Sequence, residues 1–383
     1  MAADARLELP PLGLYVHLPW CVRKCPYCDF NSHTLHGDLP TAAYTDALIR
    51  DLENDLPRVW GRTVSSVFFG GGTPSLFPAA SIDVLLAAFR ARLPTAPHAE
   101  ITLEANPGTV EYDHFAAYRE AGVNRVSLGV QSFDDNLLKA IGRIHGRSEI
   151  EAALESLHAA GMENFNVDLM YGLPGQSVDQ AVADVERAIA AGPAHISHYQ
   201  LTLEPNTAFA VQPPVLPDDE QCWEMQQACA DRLSAGGFQN YEISAWARPG
   251  RQCRHNLNYW RYGDFLGIGA GAHAKLTDQG TEQIRRLVKT RHPRHYLATQ
   301  AVAEDRCLDP AERVFEYFLN VLRLSEPFTT RQFSNRTGLP WSEAAGRIGH
   351  AIELDMLEPV PDGFRVTESG RRFCNDLQAL FLP

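Results

Sequence analysis

From residue 12 to about residue 250 the chain alternates two hydrophobic rhythms. Seven short runs rich in β-branched and aromatic residues predict strands: LGLYVHLPW (12–20), SSVFFGGG (65–72), AEITLEANP (99–107), NRVSLGVQSF (124–133), NFNVDLMYGLP (164–174), AHISHYQLTL (194–203) and NYEISAW (240–246). Between them TAAYTDALIRDLENDL (41–56), SIDVLLAAFRARL (81–93), SEIEAALESLHAAG (148–161) and DQAVADVERAIAAG (179–192) repeat apolar residues at helical spacing, and several end in glycine. Strands about 30 residues apart with a helix between them are βαβ units, so the pattern predicts a parallel sheet. Six or seven such units suit a complete or partial (β/α) barrel, whose chemistry collects on the loops after the C-terminal strand ends.

The rhythm changes near 300–308. The expected division is therefore a barrel over 1–300 and a second module over 301–383. In the latter, AERVFEYFLNVLRL, TTRQFSNRTG and SEAAGRIGHAIELDML predict three helices, and EPVPDGFRVTESG a hairpin turning at Asp362-Gly363. Three helices and a hairpin make a winged-helix-like α+β module. Residues 308–383 hold eight Arg, no Lys and eleven Asp/Glu, a net charge of −3, which argues against binding to a polyanion. Packing or protein interaction is the expected role.

Charge and composition narrow the class further. With 34 Lys/Arg against 47 Asp/Glu the 383-residue chain carries −13, so nucleic acid is not an expected partner. Apolar residues at 45% give ample core material, and no apolar run approaches the roughly 20 residues of a membrane span. The opening stretch MAADARLELPP lacks the basic and apolar regions of a secretory signal, so a cytoplasmic address is expected. Of eight cysteines, three fall within CVRKCPYC: Cys21, Cys25 and Cys28. A disulfide scaffold would spread its bridges, so the trio reads as a metal or cluster site in a reducing compartment. One short loop can wrap three thiolates around an inorganic core, and iron–sulfur clusters normally take four ligands, leaving one iron open. The alternative is a Cys3His zinc site completed by His33 or His36.

The C-x3-C-x2-C spacing with Tyr27 before the last cysteine resembles the signature of the radical S-adenosylmethionine (SAM) superfamily. That resemblance implies a [4Fe–4S] cluster whose open iron is chelated by the amino and carboxylate groups of SAM, and whose electron cleaves the sulfonium to a 5′-deoxyadenosyl radical. Gly70-Gly71-Gly72-Thr73-Pro74 is similar to the family's GGTP loop. Glu104 in LEANP, Gln131 in GVQSF, Arg143 in GRIH and Asp168 in NVDLMYGLP follow at successive strand ends. Read singly each is a surface or capping group; in this order they converge on one mouth. There the carboxylates can accept from ammonium or hydroxyl groups, while Arg143 and Gln131 can hold carboxylate or adenosyl groups. YVHLPWC, GVQSF, MYGLPGQ and the C-terminal module resemble the coproporphyrinogen-oxidase-like branch, which implies Tyr15, Gly71 and Glu104 at a first SAM. It places Tyr27, Gly72, Thr73, Gln131, Arg143 and Asp168 toward a second.

Two features depart from the oxidase of that branch. Phe30 stands where the oxidase carries a further cysteine, and 20 residues precede Cys21 where the oxidase has a longer arm. His255-Asn256-Leu257-Asn258-Tyr259-Trp260 is similar to the HNxxYW motif of the branch's heme chaperones, which implies heme as a third ligand. His255 would be its axial ligand, Tyr259 and Trp260 would stack on the porphyrin, and hemoproteins would be acceptors. The residue-level alternative has His255 capping a loop and the two aromatics packing under the barrel. Cys253 reads as buried or incidental, and Cys222, Cys229, Cys307 and Cys374 as lying in helix-like surroundings. His195 and His198 are expected to share one strand face. The stretch RRLVKTRHPRH (285–295) is a cationic patch for propionates, a partner or an anionic membrane. Peripheral membrane contact and a homodimer stay open.

Overall fold

The computed structural model describes residues 6–109 and 114–383; the first five residues of the N-terminal stretch read above lie outside them. Six strands follow the predicted runs: β1 (Leu12–Leu18), β2 (Val64–Gly71), β3 (Thr95–Ala105), β4 (Arg125–Gln131), β5 (Phe165–Tyr171) and β6 (His195–Gln200). Each pairs in parallel with the next. The chain then adds β7 (Gln239–Glu242), β8 (Ala245–Ala247), β9 (Asp264–Ile268), β10 (His273–Asp278), β11 (Gln283–Lys289) and β12 (Val302–Cys307). Together they form one twelve-stranded sheet in the order β12-β11-β10-β9-β1-β2-β3-β4-β5-β6-β8-β7, an open partial barrel.

The seventh predicted unit differs from expectation. NYEISAW folds into the antiparallel hairpin β7–β8 on the edge of β6, not into a parallel strand. The seventh parallel strand is β9, which enters at the other side against β1. Cys307 lies on edge strand β12 rather than in a helical setting. That strand belongs to the large sheet and the next helix starts at Pro310, so we propose that the chain divides near Leu308 rather than at 300.

Alternation along each strand separates two faces. On β1, Leu12, Leu14, Val16 and Leu18 are buried in the main core, with Tyr44, Leu48, Leu52, Leu85 and Phe89 of the covering helices. Gly13, Tyr15 and His17 point to the concave side. The pattern repeats: Ile101 and Leu103, Val126 and Leu128, Val167 and Leu169 belong to the core. Their neighbours Glu100, Thr102, Glu104, Arg125, Ser127, Asn166 and Asp168 line the concavity, aligned across the register as Ser66↔Glu100, Glu104↔Ser127 and Asn166↔His195. Most barrels fill that space with branched apolar residues. Here it is polar, so the concave face is available for ligands.

His195 and His198 do not share a face. Three residues apart, they alternate to opposite sides: His195 bonds Asn166 and Tyr241 in the concavity, while His198 stacks on Tyr171 with ring centroids 4.6 Å apart.

The C-terminal module has helices Pro310–Val321, Thr330–Thr337 and Ser342–Glu353, followed by hairpin strands Leu357–Val360 and Gly363–Val366. Its core is aromatic, with Tyr317, Phe318, Phe333 and Phe381 fully buried, and it takes in Leu7, Tyr262 and Ile284 from the barrel side. Among the described residues no helix is long and apolar enough to cross a membrane.

Candidate functional site

β1 ends at Leu18, and the cysteine loop leaves from the two-residue strand Trp20–Cys21, which is pinned by a short parallel bridge to His33–Thr34. The loop is tied from several directions. Lys24 Nζ donates to the Phe30 carbonyl at 2.9 Å, and Asn31 Nδ2 donates to the carbonyls of Ala270 (2.9 Å) and Arg291 (3.0 Å). Cys21, Cys25 and Cys28 are all half-buried. Burial pushes the Cys21 thiol up, against a hydrogen bond to Thr73, and the charges of Cys28 and Cys25 add to the rise. Burial likewise raises Cys28, whose Sγ lies 3.8 Å from Ser32 Oγ. The three thiols thus sense one another.

Among the described residues no three His, Cys, Asp or Glu side chains gather as they would around one metal ion. A tetrahedral zinc would need sulfurs about 3.8 Å apart. Of the alternative zinc partners, His33 packs on the His292 ring at 5.6 Å, and His36 is exposed. In a cubane each thiolate takes a different iron.

The glycine loop runs behind the cysteines. Gly71 has φ +113°, and a Cβ there would lie 2.5 Å from the His17 ring; one on Gly72 would lie 2.5 Å from the Trp20 carbonyl oxygen. Only glycine fits this approach of backbone to backbone. Gly72 N–H donates to Leu18 O and Thr73 N–H to Trp20 O, both at 2.8 Å, which locks the loop to the cysteine strand. Thr73 Oγ1 accepts from Asn106 Nδ2 at 3.0 Å, and Asn106 Oδ1 accepts from Arg143 Nη2 at 2.6 Å. Arg143 also donates to the Gly129 carbonyl (2.7 Å) and to Cys25 Sγ (3.5 Å), while its Nε is buried without a partner. Tyr27 joins this group, its phenol pushed up by burial with the Arg143 guanidinium pulling the other way.

Deeper in the mouth lie the two carboxylates. Glu104 Oε2 accepts from Gly71 N–H at 3.2 Å, and burial, followed by the negative charge of Asp168, pushes its carboxyl up to about 8. Burial also raises Asp168, despite hydrogen bonds from Asn166 (2.8 Å) and Ser127 (3.2 Å). Tyr15 O–H and His17 Nδ1 are 3.0 Å apart beside Glu104. Gln131 ends β4 at φ +71°, beside a register shift that re-aims the strand end. The expected SAM residues therefore do meet at one mouth. The sequence reading missed Asn106, which couples Thr73 to Arg143. It also missed His145, a buried imidazole that burial and Arg143 push down to about 4. Their places in LEANP and GRIH, beside residues already singled out, were the available signal.

His255 lies one layer below, on helix Arg254–Trp260, and is 9% exposed. Its Nδ1 is 3.0 Å from Ser66 Oγ and its ring packs on Phe68 at 5.0 Å. Gly13 makes the room, since a Cβ there would lie 3.2 Å from the imidazole. Burial, then Arg125, lowers His255 to about 4, so it is neutral near pH 7. The other two motif aromatics face away from it. Tyr259 packs on Phe265 at 5.2 Å, and Trp260 lies under the Arg323 guanidinium at 4.5 Å, against the C-terminal module. Cys253 is buried, donating to Glu100 Oε1 at 3.4 Å.

The basic stretch is largely neutralised: Arg285 pairs with Asp305, Arg286 with Glu316, and buried Lys289 with Asp51 and Asp55. Arg291 and Arg294 remain exposed.

Comparison with known proteins agrees with this geometry. The profile of the radical SAM superfamily matches residues 15–188, and that of the HemN C-terminal domain residues 308–373. The chain is 48% identical over 376 residues to the heme chaperone HemW of Escherichia coli (strain K12), covering 98% of this chain and 99% of the relative. It is 46% identical over 379 residues to the heme chaperone HemW of Haemophilus influenzae, with the same coverages of 98% and 99%. Among solved structures, the radical SAM enzyme coproporphyrinogen III oxidase (HemN) from Escherichia coli superimposes with a TM-score of 0.81 over 99% of this chain and 91% of that one. At 23% identity that likeness is one of fold. The chain belongs to the HemW family of radical SAM proteins.

Proposed function

We propose that this protein is a cytoplasmic heme chaperone that holds a [4Fe–4S] cluster and SAM at the mouth of its barrel, binds heme, and delivers it to acceptor hemoproteins. Cys21, Cys25 and Cys28 would hold the cluster. Three half-buried thiols on one pinned loop, with a guanidinium on Cys25, are a fitting donor set for it. The bound cluster supplies a one-electron centre.

Around it, the chain's own residues favour a cationic ligand. Burial raises the proton affinity of both Glu104 and Asp168, and the charge of Asp168 raises that of Glu104 further; the ammonium and sulfonium groups of SAM would relieve that cost. Tyr15 and Gly71 would border the first SAM. Tyr27, Gly72, Thr73, Gln131 and Arg143 would face a second. His255 is the proposed heme ligand through Nε2, with Nδ1 engaged by Ser66.

The observation that carries the chaperone reading over the oxidase is the end-to-end identity with relatives named heme chaperone. Phe30, 60% exposed where the oxidase pattern has a cysteine, supports it, since it offers no thiol. Anaerobic reconstitution followed by separate titrations with SAM and heme tests the proposal. Stoichiometric binding of both is expected, and decarboxylation of coproporphyrinogen by the reconstituted protein would overturn the chaperone-only reading.

A further inference from the structure

Gln131 closes β4 in an uncommon posture. Its φ of +71° lies in the left-handed region, where a residue with a Cβ is strained, and it follows a register shift against β5. Such strain persists only where the surroundings over-determine it. The posture has a use at the mouth. A Cβ on Gly129 would lie 2.8 Å from Asn106 Oδ1, 3.1 Å from Gln131 Nε2 and 3.4 Å from Arg143 Nη2, so three polar side chains converge over that glycine.

The constraint comes from the helix layer. Helix Val178–Ala190 starts in a capping box between Ser177 and Gln180, and Ala181, Val185 and Ala188 seat it on the main core. From this helix Asp184, 4% exposed, reaches the two residues that follow Gln131. Its Oδ2 accepts from Ser132 O–H and its Oδ1 from Phe133 N–H, both at 2.7 Å. One turn earlier Gln180 Nε2 donates to Asp134 Oδ2 at 3.2 Å, and Asp134 N–H donates to Ser132 Oγ at 3.0 Å. Residues 132, 133 and 134 are thus each tied to this helix. Burial pushes the Asp184 carboxyl up to about 6 against both hydrogen bonds, so the group is kept here at a cost to the fold. Helix packing alone would be served by an apolar side chain.

We propose that Asp184 is the positioning residue for Gln131: by clamping Ser132 and Phe133 it holds the glutamine amide at the mouth beside Asn106 and Arg143, and so acts on SAM affinity through Gln131. The inference rests on the reading that Gln131 is a SAM residue. The clamp works from behind the sheet, so the group that sets the ligand contact lies on a different face from the ligand.

The test titrates SAM into the full-length, cluster-loaded protein. Gln131→Ala and Asp184→Ala should each weaken binding about tenfold, the worth of one hydrogen bond. The double variant should also lose about tenfold, where independent sites would lose about a hundredfold. Asp184→Asn should bind SAM with near wild-type affinity, since its amide can accept from Phe133 N–H and donate to Ser132 Oγ. Val185→Ala, a cavity at the next position of the same helix, should lower stability in urea and leave SAM affinity unchanged. If Asp184→Ala does not fold, Ser132→Ala enters the same cycle, with a smaller loss that vanishes in the Gln131→Ala background. Wild-type affinity in Asp184→Ala, losses that add in the double variant, no rescue by Asp184→Asn, or an equal loss in Val185→Ala overturns the proposal and leaves the SAM reading standing. A wild type that binds no SAM, or Gln131→Ala with undiminished affinity, defeats the SAM reading of Gln131 and this inference together.

Discussion

Cys21, Cys25 and Cys28 sit half-buried on a loop outside the sheet, whereas His255 sits beneath the concave face with 9% of its surface exposed. The loop is held by backbone and side-chain hydrogen bonds at its edges, and its thiols are half-buried. Around it Arg143 Nε and His145 Nε2 are buried without partners. Around His255, by contrast, Ser66 takes Nδ1, Glu100 accepts from the backbone N–H, and Phe68 covers the ring. In the proposed reading the loop is what receives the inorganic group. The helix offers a ligand atom only to something that enters the concavity below Tyr15.

The sharpest way to break this contrast is at the loop. Cys21→Ser, Cys25→Ser and Cys28→Ser should each abolish the brown absorbance of the reconstituted protein, with loss of bound iron and sulfide. Heme binding should persist in all three. The barrel should stay folded, because its core does not depend on the metal. A full cluster surviving in all three variants would refute the ligand assignment.

A large but different effect is expected behind the loop. Lys289 Nζ, 1% exposed, reaches Asp51 Oδ1 at 2.5 Å and Asp55 Oδ2 at 2.6 Å, and Asp51 Oδ2 accepts from Gly269 N–H and Tyr296 O–H. This network fixes the 269–271 turn that Asn31 grips from the cysteine side. Lys289→Met would leave buried Asp51 without its cation and Asp55 with Arg58 alone, at a cost of about 3–5 kcal/mol. Urea unfolding should register that loss, and cluster occupancy should fall with it. Unchanged stability would show that the loop is not backed by this pair.

Much of this was legible before any coordinates. Leu12, Leu14 and Val16 alternate with Gly13, Tyr15 and His17, and that period-2 pattern announced both the strand and its two faces. CVRKCPYC and GGGTP announced the mouth, since their spacing and their need for glycine are local properties. Non-local features stayed hidden. β9 joins β1 across roughly 250 residues of chain, and nothing in DFLGI distinguishes a parallel strand from a buried hairpin arm. NYEISAW looked like one strand because a tight reversal inside it carries neither Gly nor Pro. His145 is not legible in the sequence because its burial, against Gly108, is a product of packing. Tyr259 and Trp260 were expected on a porphyrin, but Phe265 and Arg323 already occupy them.

A smaller effect should distinguish the mouth by its pH dependence. Glu104 keeps its proton up to about pH 8 in the ligand-free fold, whereas in the unfolded chain it ionises near its ordinary value of 4.5. Between those values the folded state binds the extra proton, so stability falls as pH rises from 4.5 to 8 and levels off above. Glu104→Gln should remove that slope from denaturation curves. A cationic ligand reverses the effect. SAM binding to the cluster-loaded protein near pH 7 should release close to one proton, detectable by calorimetry in buffers of different ionisation enthalpy. Proton release unchanged in Glu104→Gln would take Glu104 out of the ligand's field.

The least disruptive substitution tests the other half of the contrast. His255→Ala removes an imidazole but leaves the Glu100 contact to the backbone, so the fold should lose little beyond the ring's packing on Phe68. Because His255 is neutral above about pH 4, its ligand strength should be flat from pH 5 to 8, in contrast to the mouth. Heme affinity, followed by the Soret band, should drop more than tenfold in the variant, since even losing an outer-shell partner of a metal ligand costs about 10–100-fold. Ser66→Ala should give a smaller drop by freeing Nδ1. If both variants bind heme as the wild type does, the buried helix is a structural prop, and the exposed imidazoles, among them His292 and His295 beside the cysteine loop, become the next ligands to test. That outcome would leave the SAM mouth intact.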